Sequence, residues 1–167
     1  LVNPGRSVDK EAFEVHGIGD DELADKPGFG SIADQVLIAL SGSVPVAYNA
    51  EFDREFLFAE LRRANKSIGH LPPAARKAVE WIDPLVWARE LHRIEKSKAL
   101  GDVCARLGID LGQAHRAIHD AEATLQVFSA FLTDTRVPKT YAALIQEQRR
   151  LARQFDEEKV RWRARPG

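Results

Sequence analysis

The chain has 167 residues, 44% of them hydrophobic and 29% charged, and a formal net charge of −1. That length suits a single domain with its own core, and the composition is that of a folded protein rather than a disordered one. A charge so near neutrality excludes the broad basic surface that holds nucleic acid mainly by neutralising phosphates, and confines any such contact to a local site. The longest apolar run in the first third, Val36–Leu40, falls far short of the roughly 20 residues that cross a bilayer, so no membrane segment is expected. The single Cys104 can form no internal disulfide, which fits a reducing cytoplasm and disfavours metal ligation by cysteine. The sequence contains no methionine and starts at Leu1, which predicts further sequence upstream.

Residues 1–29 carry turn formers, Asn3-Pro4-Gly5, Gly17-Ile18-Gly19-Asp20-Asp21 and Pro27-Gly28, and read as loop with a short helix at most. From Ser31, the residues Ile32, Val36, Leu37 and Leu40 recur at helical spacing until Ser41-Gly42-Ser43 stops the pattern. Val44-Pro45-Val46-Ala47-Tyr48 is short, apolar and partly β-branched, and predicts a buried strand. A helix follows at once, with Phe56, Leu57, Leu61 and Ala64 on its apolar face and Glu55, Arg62 and Lys66 opposite. A strand leading straight into a helix predicts an α/β layout.

Residues 67–78 include Pro72-Pro73 and read as a connection, followed by a second short strand over Val79–Ile82. Asp83 is placed to cap a helix over Leu85–Leu91 with Pro84 in its first turn, and Leu100, Val103, Cys104 and Leu107 predict another helix ending at Gly108. Gly112–His115 is a loop. A long helix then closes the domain, with Ala117, Ala121, Thr124, Leu125, Phe128 and Phe131 as its less polar face. After Pro138 the composition shifts to a charged helical tail, read as solvated or docked on its own domain. The division expected is 1–134 and 135–167, with Trp162 in the tail as a candidate anchor for a partner.

Two clusters combine reactive side chains with the end of an element. In Asn49–Asp53 a strand stops and a helix starts, which aims Asn49 and Asp53 at the carboxyl edge of a sheet, where ligands of open α/β folds bind. The alternative is a helix cap at Asn49 and a first-turn carboxylate favoured by the helix dipole. In His115–Asp120 a loop imidazole precedes a helix that carries a carboxylate one turn in, a pair that can supply a base and a metal ligand. The alternative is a capping or packed His115 and a solvated Asp120.

Taken in order, these segments resemble the DnaQ-like, or DEDDh, 3′→5′ exonuclease family. Val15-His16-Gly17-Ile18 is similar to an early family segment, Tyr48-Asn49-Ala50-Glu51-Phe52-Asp53 to the second motif, and His115-Arg116-Ala117-Ile118-His119-Asp120 to the His-x-Ala-x-x-Asp third motif. Ile82-Asp83-Pro84-Leu85 with Ala88-Arg89, and Leu100-Gly101-Asp102-Val103-Cys104 with Leu107-Gly108-Ile109, resemble the landmarks between them. The resemblance implies a ribonuclease H-like α/β fold, helix-rich here because its first three strands, and the Asp-x-Glu motif on the first of them, would lie before Leu1.

The family's chemistry implies two divalent cations, Mg²⁺ or Mn²⁺, which are hard ions held by carboxylates and water. By resemblance, Asp53 and Asp120 are metal carboxylates and His115 is the general base. Asn49, Phe52, His16 and Ile18 would meet the substrate, the 3′ end of single-stranded or frayed DNA, or of RNA. Lys98, Arg54 and Arg116 are candidate phosphate contacts, and His119 reads as a helix-surface residue. The implied setting is cytoplasmic replication proofreading or repair, with a DNA polymerase subunit as a possible partner and an open sheet edge available for self-association. The alternative function is a catalytically inactive module that binds or scaffolds within a replication or repair assembly.

Overall fold

The computed structural model describes residues 1–66, 71–111 and 117–164. Its helices are α1 (Lys10–His16), α2 (Asp20–Leu23), α3 (Phe29–Leu40), α4 (Ala50–Arg63), α5 (Pro84–Leu91), α6 (Leu100–Leu107), α7 (Ala117–Phe131) and α8 (Tyr141–Arg163), with a 3-10 turn at Pro73–Ala75. The expected connection at 67–78 lies partly, and the loop at 112–115 entirely, outside the described residues.

Local signals account for most boundaries. The Asp83 carboxylate accepts the Leu85 N–H at 2.9 Å with Pro84 at the first helical position, so α5 starts where the sequence places it. Helix α6 ends at Gly108, whose φ of 68° is a left-handed conformation that glycine adopts without a Cβ penalty. The turn-rich start is more helical than expected: its charged stretches form the short α1 and α2, and the left-handed Gly17 ends the first of them.

The two predicted strands are corrected to a single point of contact. Val46 and Ile82 form an isolated parallel bridge, in which Ala47 N–H donates to Ile82 O and Ile82 N–H donates to Pro45 O, both at 3.0 Å. Pro45 brings no N–H to a ladder, Asn49 turns the chain away in a left-handed conformation, and Asp83-Pro84 starts a helix directly after the bridge. Among the described residues the other such bridge joins Asn3 to Gly28, also parallel, and secures the N-terminal stretch to the start of α3.

Among the described residues, two hydrophobic clusters organise the packing. The larger gathers Trp87 of α5, Val103 of α6, Val127 and Phe131 of α7, and Leu144 and Leu151 of α8, with Val46 and Tyr48 packed against it. The smaller joins Phe58 and Leu61 of α4 to Leu71 and Ala75, flanked by Phe29, Leu37 and Leu40 at the two ends of α3.

These clusters decide which helix faces are buried, and they correct two expectations. On α4, Leu61 is buried and Leu57 half-buried as predicted, but Phe58 is the buried aromatic and Phe56 is 57% exposed. The α3 side sets the buried arc, and Lys66, expected in solvent, is half-buried with its ammonium 2.6 Å from Asp34 of α3. On α7 the buried stripe is Ala123, Thr124, Val127 and Phe131, while Ala117, Ala121 and Leu125 are exposed. This helix packs against both α5 and α6, so its inward arc follows two neighbours rather than one apolar stripe.

The charged tail is helical and its first half is docked. Leu144, Ile145, Gln148 and Leu151 are buried at i, i+1, i+4 and i+7, and α8 packs on α5. From Asp156 to Ala164 the helix is exposed throughout, including Trp162. No helix among the described residues is long and apolar enough to cross a membrane. Leu151 is one of the largest fully buried side chains, so Leu151→Ala should lower unfolding stability by about 3 kcal/mol, read as a shift in the urea midpoint with an unchanged slope.

Candidate active site

The site is built where the segments 44–49 and 81–83 end side by side. Asn49 has φ 69° and ψ 52°, a left-handed conformation that asparagine tolerates better than most side chains. It occupies the N-cap position of α4, but its side chain makes no capping bond. The cap comes from 34 residues along the chain: Asp83 Oδ1 accepts the Asn49 N–H at 2.9 Å and Oδ2 accepts the Ala50 N–H at 3.1 Å. Together with its bond to Leu85 N–H, one carboxylate satisfies exposed amides at the starts of both α4 and α5.

The Asp83 main chain is itself held. Its N–H donates to Gln148 Oε1 at 2.9 Å, and Gln148 Nε2 donates to Trp81 O at 3.0 Å. Tyr48 fixes the other segment, its hydroxyl donating to Lys98 O at 2.5 Å, and burial together with the Asp83 charge pushes its pKa up. Asn49, Ala50, Arg54, Asp83, Arg89 and Gln148 are among the residues lining an open cleft of about 410 Å³ at this junction.

Asp53 stands in the first turn of α4. The residue is exposed, yet its carboxyl group is desolvated enough to push its pKa above the ordinary carboxylate value, opposed only by a bond to its own backbone. Phe52 and Phe56 are exposed on this helix with ring centroids 4.8 Å apart. Asp120 is half-buried in the first turn of α7; its carbonyl accepts from the Thr124 hydroxyl at 2.7 Å, and its charge helps to raise the pKa of the buried Cys104, an effect led by burial of the thiol. His115 and Arg116 lie outside the described residues.

The other candidates are placed as follows. His16 ends α1, and its Nδ1 accepts the Ile18 N–H at 3.0 Å, which leaves Nε2 to carry a proton when the ring is neutral. His16 and Ile18 together line a separate cleft with Leu1, Val2 and Val8. Of the three expected phosphate contacts, Arg54 lies over the Phe58 ring at 5.9 Å with its Nε buried and unbonded among the described residues, the Lys98 ammonium donates to Glu95 O, and Arg116 lies outside the described residues. His119 is half-buried rather than fully at the surface.

A profile of the exonuclease family matches residues 1–128, across both bridged segments and both acidic helix starts. The chain belongs to the DnaQ-like exonuclease family. Membership implies the ribonuclease H-like fold, of which the described residues contribute chiefly helices. The DNA polymerase III subunit epsilon of Pasteurella multocida (strain Pm70) is 32% identical over 166 residues, covering 94% of this chain and 63% of that protein. The protein of the same name from Escherichia coli (strain K12) is 35% identical over 131 residues, 77% of this chain and 52% of that protein. That of Buchnera aphidicola subsp. Acyrthosiphon pisum (strain APS) is 38% identical over 120 residues, 72% of this chain and 47% of that protein. The chain thus spans about half to two-thirds of the length of these curated relatives.

For this exonuclease-family chain, the fit to a divalent ion is partial. Asp53 and Asp120 offer hard oxygen donors of the right chemistry, and burial raises the pKa of the Asp53 carboxyl. The number of ligands falls short: among the described residues no three His, Cys, Asp or Glu side chains gather as a metal would require.

Two residues of the junction escaped the sequence reading in part. Asp83 was legible as a cap for α5, but not as the cap of α4, because that bond spans 34 residues. Gln148 was not singled out, although a lone amide within the stripe Leu144, Ile145, Leu151 marks a polar group needing buried partners. Asp83→Asn replaces one acceptor oxygen by a donor facing another N–H, and should cost about 1–3 kcal/mol of stability at neutral pH. Burial, opposed by the three amides and Arg89, pushes the Asp83 pKa up. Folding therefore favours its protonated form, and stability from that shift is present in acid and lost as pH rises through the raised value. The gap between wild type and Asp83→Asn in urea unfolding should accordingly narrow as pH rises from the ordinary carboxylate value.

Proposed function

We propose that this chain carries the second and third acidic positions of a metal-dependent 3′→5′ exonuclease that hydrolyses the terminal phosphodiester of single-stranded or frayed DNA during proofreading or repair. The observation that carries the reading is the family match over residues 1–128, within which Asp53 and Asp120 both stand in first turns of helices. DNA is favoured over RNA because the relatives are named as DNA polymerase subunits. A polymerase is the proposed partner for the same reason, with the exposed Trp162 at the end of α8 as its anchor. Residues 1–134 form the exonuclease-like domain in this reading, and 135–167 a charged C-terminal extension whose helix docks on it through Leu144, Ile145, Gln148 and Leu151.

Asp53 and Asp120 would hold Mg²⁺ or Mn²⁺, with the remaining ligands supplied from outside the described residues. A bound pair of such ions activates water and neutralises charge on the phosphate. His115 takes the proton of the attacking water as general base. Phe52, exposed and in tilted contact with Phe56, offers an aromatic face for the terminal base. Asn49 would meet the strand end at the junction cleft, and His16 and Ile18 would meet it from their separate cleft.

A second reading, an inactive binding module of the same fold, is favoured by one observation: the described residues gather no metal-ligand group. Degradation of a 5′-labelled single-stranded oligonucleotide by the full-length protein separates the two. The enzyme reading expects stepwise shortening from the 3′ end with Mg²⁺ or Mn²⁺, lost on chelation. His115→Ala should lower the rate by about 10²-fold or more, and Asp53→Ala or Asp120→Ala should abolish it. A folded, metal-replete protein that binds the oligonucleotide without shortening it would establish the binding module instead.

A further inference from the structure

Gln148 lies on α8, beyond the span matched by the exonuclease profile, and is only 7% exposed. Its amide meets the two main-chain groups that flank Ile82: Oε1 accepts from Asp83 N–H and Nε2 donates to Trp81 O. The N–H and C=O of Ile82 itself are taken by Pro45 and Ala47 on the opposite side. Segment 81–83 is thus clamped from both edges, by 44–48 on one and by a single side chain on the other. The amide imitates a neighbouring strand, because it offers one acceptor and one donor at peptide spacing, and it closes that side of the pair to a further strand.

What is clamped matters for the site. The Asp83 carboxylate, a few bonds from the N–H that Gln148 holds, caps Asn49 and Ala50, and Asp53 follows in the same first turn of α4. Asn49 contributes no side-chain cap of its own, so the orientation of that turn depends on where Asp83 is held. We propose that Gln148 is a positioning residue for Asp53: the C-terminal helix, through one amide, sets the register of the catalytic helix. The role of Asp53 in this inference rests on the exonuclease reading, whereas the mechanical link from Gln148 to the first turn of α4 does not.

The test uses the full-length protein with Gln148→Leu, Gln148→Glu and the packing control Leu151→Ala, all assayed well below their unfolding temperatures. Leu151 sits one turn further along the same helix and shares the core cluster without a hydrogen bond to the 81–83 segment, so it reports lost packing with the amide clamp intact. Gln148→Glu keeps an acceptor for Asp83 N–H and loses the donor to Trp81 O, which provides a second variant should the leucine substitution prevent folding.

Two readouts are taken. In hydrogen exchange, protection of the Asn49 and Ala50 amides should fall by about tenfold or more in the Gln148 variants and stay near wild type in Leu151→Ala. In oligonucleotide shortening, the Gln148 variants should lose about tenfold or more in kcat with KM little changed, because a displaced catalytic group costs rate rather than binding, while Leu151→Ala keeps its kcat. Unchanged protection at Asn49 and Ala50 in folded Gln148 variants would overturn the inference. So would equal losses of kcat in Leu151→Ala and the Gln148 variants. An unmutated protein that shortens no DNA would overturn the exonuclease reading and with it the role of Asp53, while the exchange result would still decide whether Gln148 governs the helix.

Discussion

Asp83 presents one half-buried carboxylate to three backbone amides, two at the start of α4 and one at the start of α5. Helix starts leave N–H groups that need partners, and here two helices from different parts of the chain share a single acceptor. The helices belong to different hydrophobic clusters, α4 to the one it forms with α3 and α5 to the one it forms with α6, α7 and α8. The short bridge between Val46 and Ile82 brings the two segments together; the carboxylate then fixes the angle at which both helices leave. Loss of that group would loosen the joint between the clusters as well as two helix ends.

The placement of Asp83 also explains why candidate residues sit where they do. Asp53 depends on the first turn of α4, and that turn depends on a cap from the neighbouring segment. Asp120 depends on α7, whose inward arc is set by α5 and α6. Each carboxylate is therefore held by a different cluster, and the Asp83 junction is where the two clusters meet. Phe52 and Phe56, exposed and in tilted ring contact beside Asp53, make this side of α4 apolar and open.

Much of this was legible from residue order. Asp83-Pro84 announced α5, Gly108 announced the end of α6, and Asn49 marked the start of α4, because caps and glycine stops act within a few residues of the feature they specify. Strands were harder to judge. Val44–Tyr48 and Val79–Ile82 have strand composition, but a ladder needs several residues paired in register with a partner strand, and composition carries no information about that register. Helix faces failed for a related reason: Phe56 looks as apolar as Phe58, and only the position of α3 decides that Phe58 turns inward. Gln148 was hidden in a charged segment, where one amide in an apolar stripe is a faint signal until its two backbone partners, 65 and 67 residues away, are seen.

The central claim is that Asp53 and Asp120, held by separate clusters, serve one divalent-cation centre. Paramagnetic broadening by Mn²⁺ in the amide NMR spectrum of the full-length protein tests it most directly. Selective broadening of the amides around Asp53 and Asp120 at the same Mn²⁺ concentrations, removed by Asp53→Ala or by Asp120→Ala alike, is the result expected of a shared centre. Broadening of one group without the other, or of neither while the protein remains folded, would contradict it.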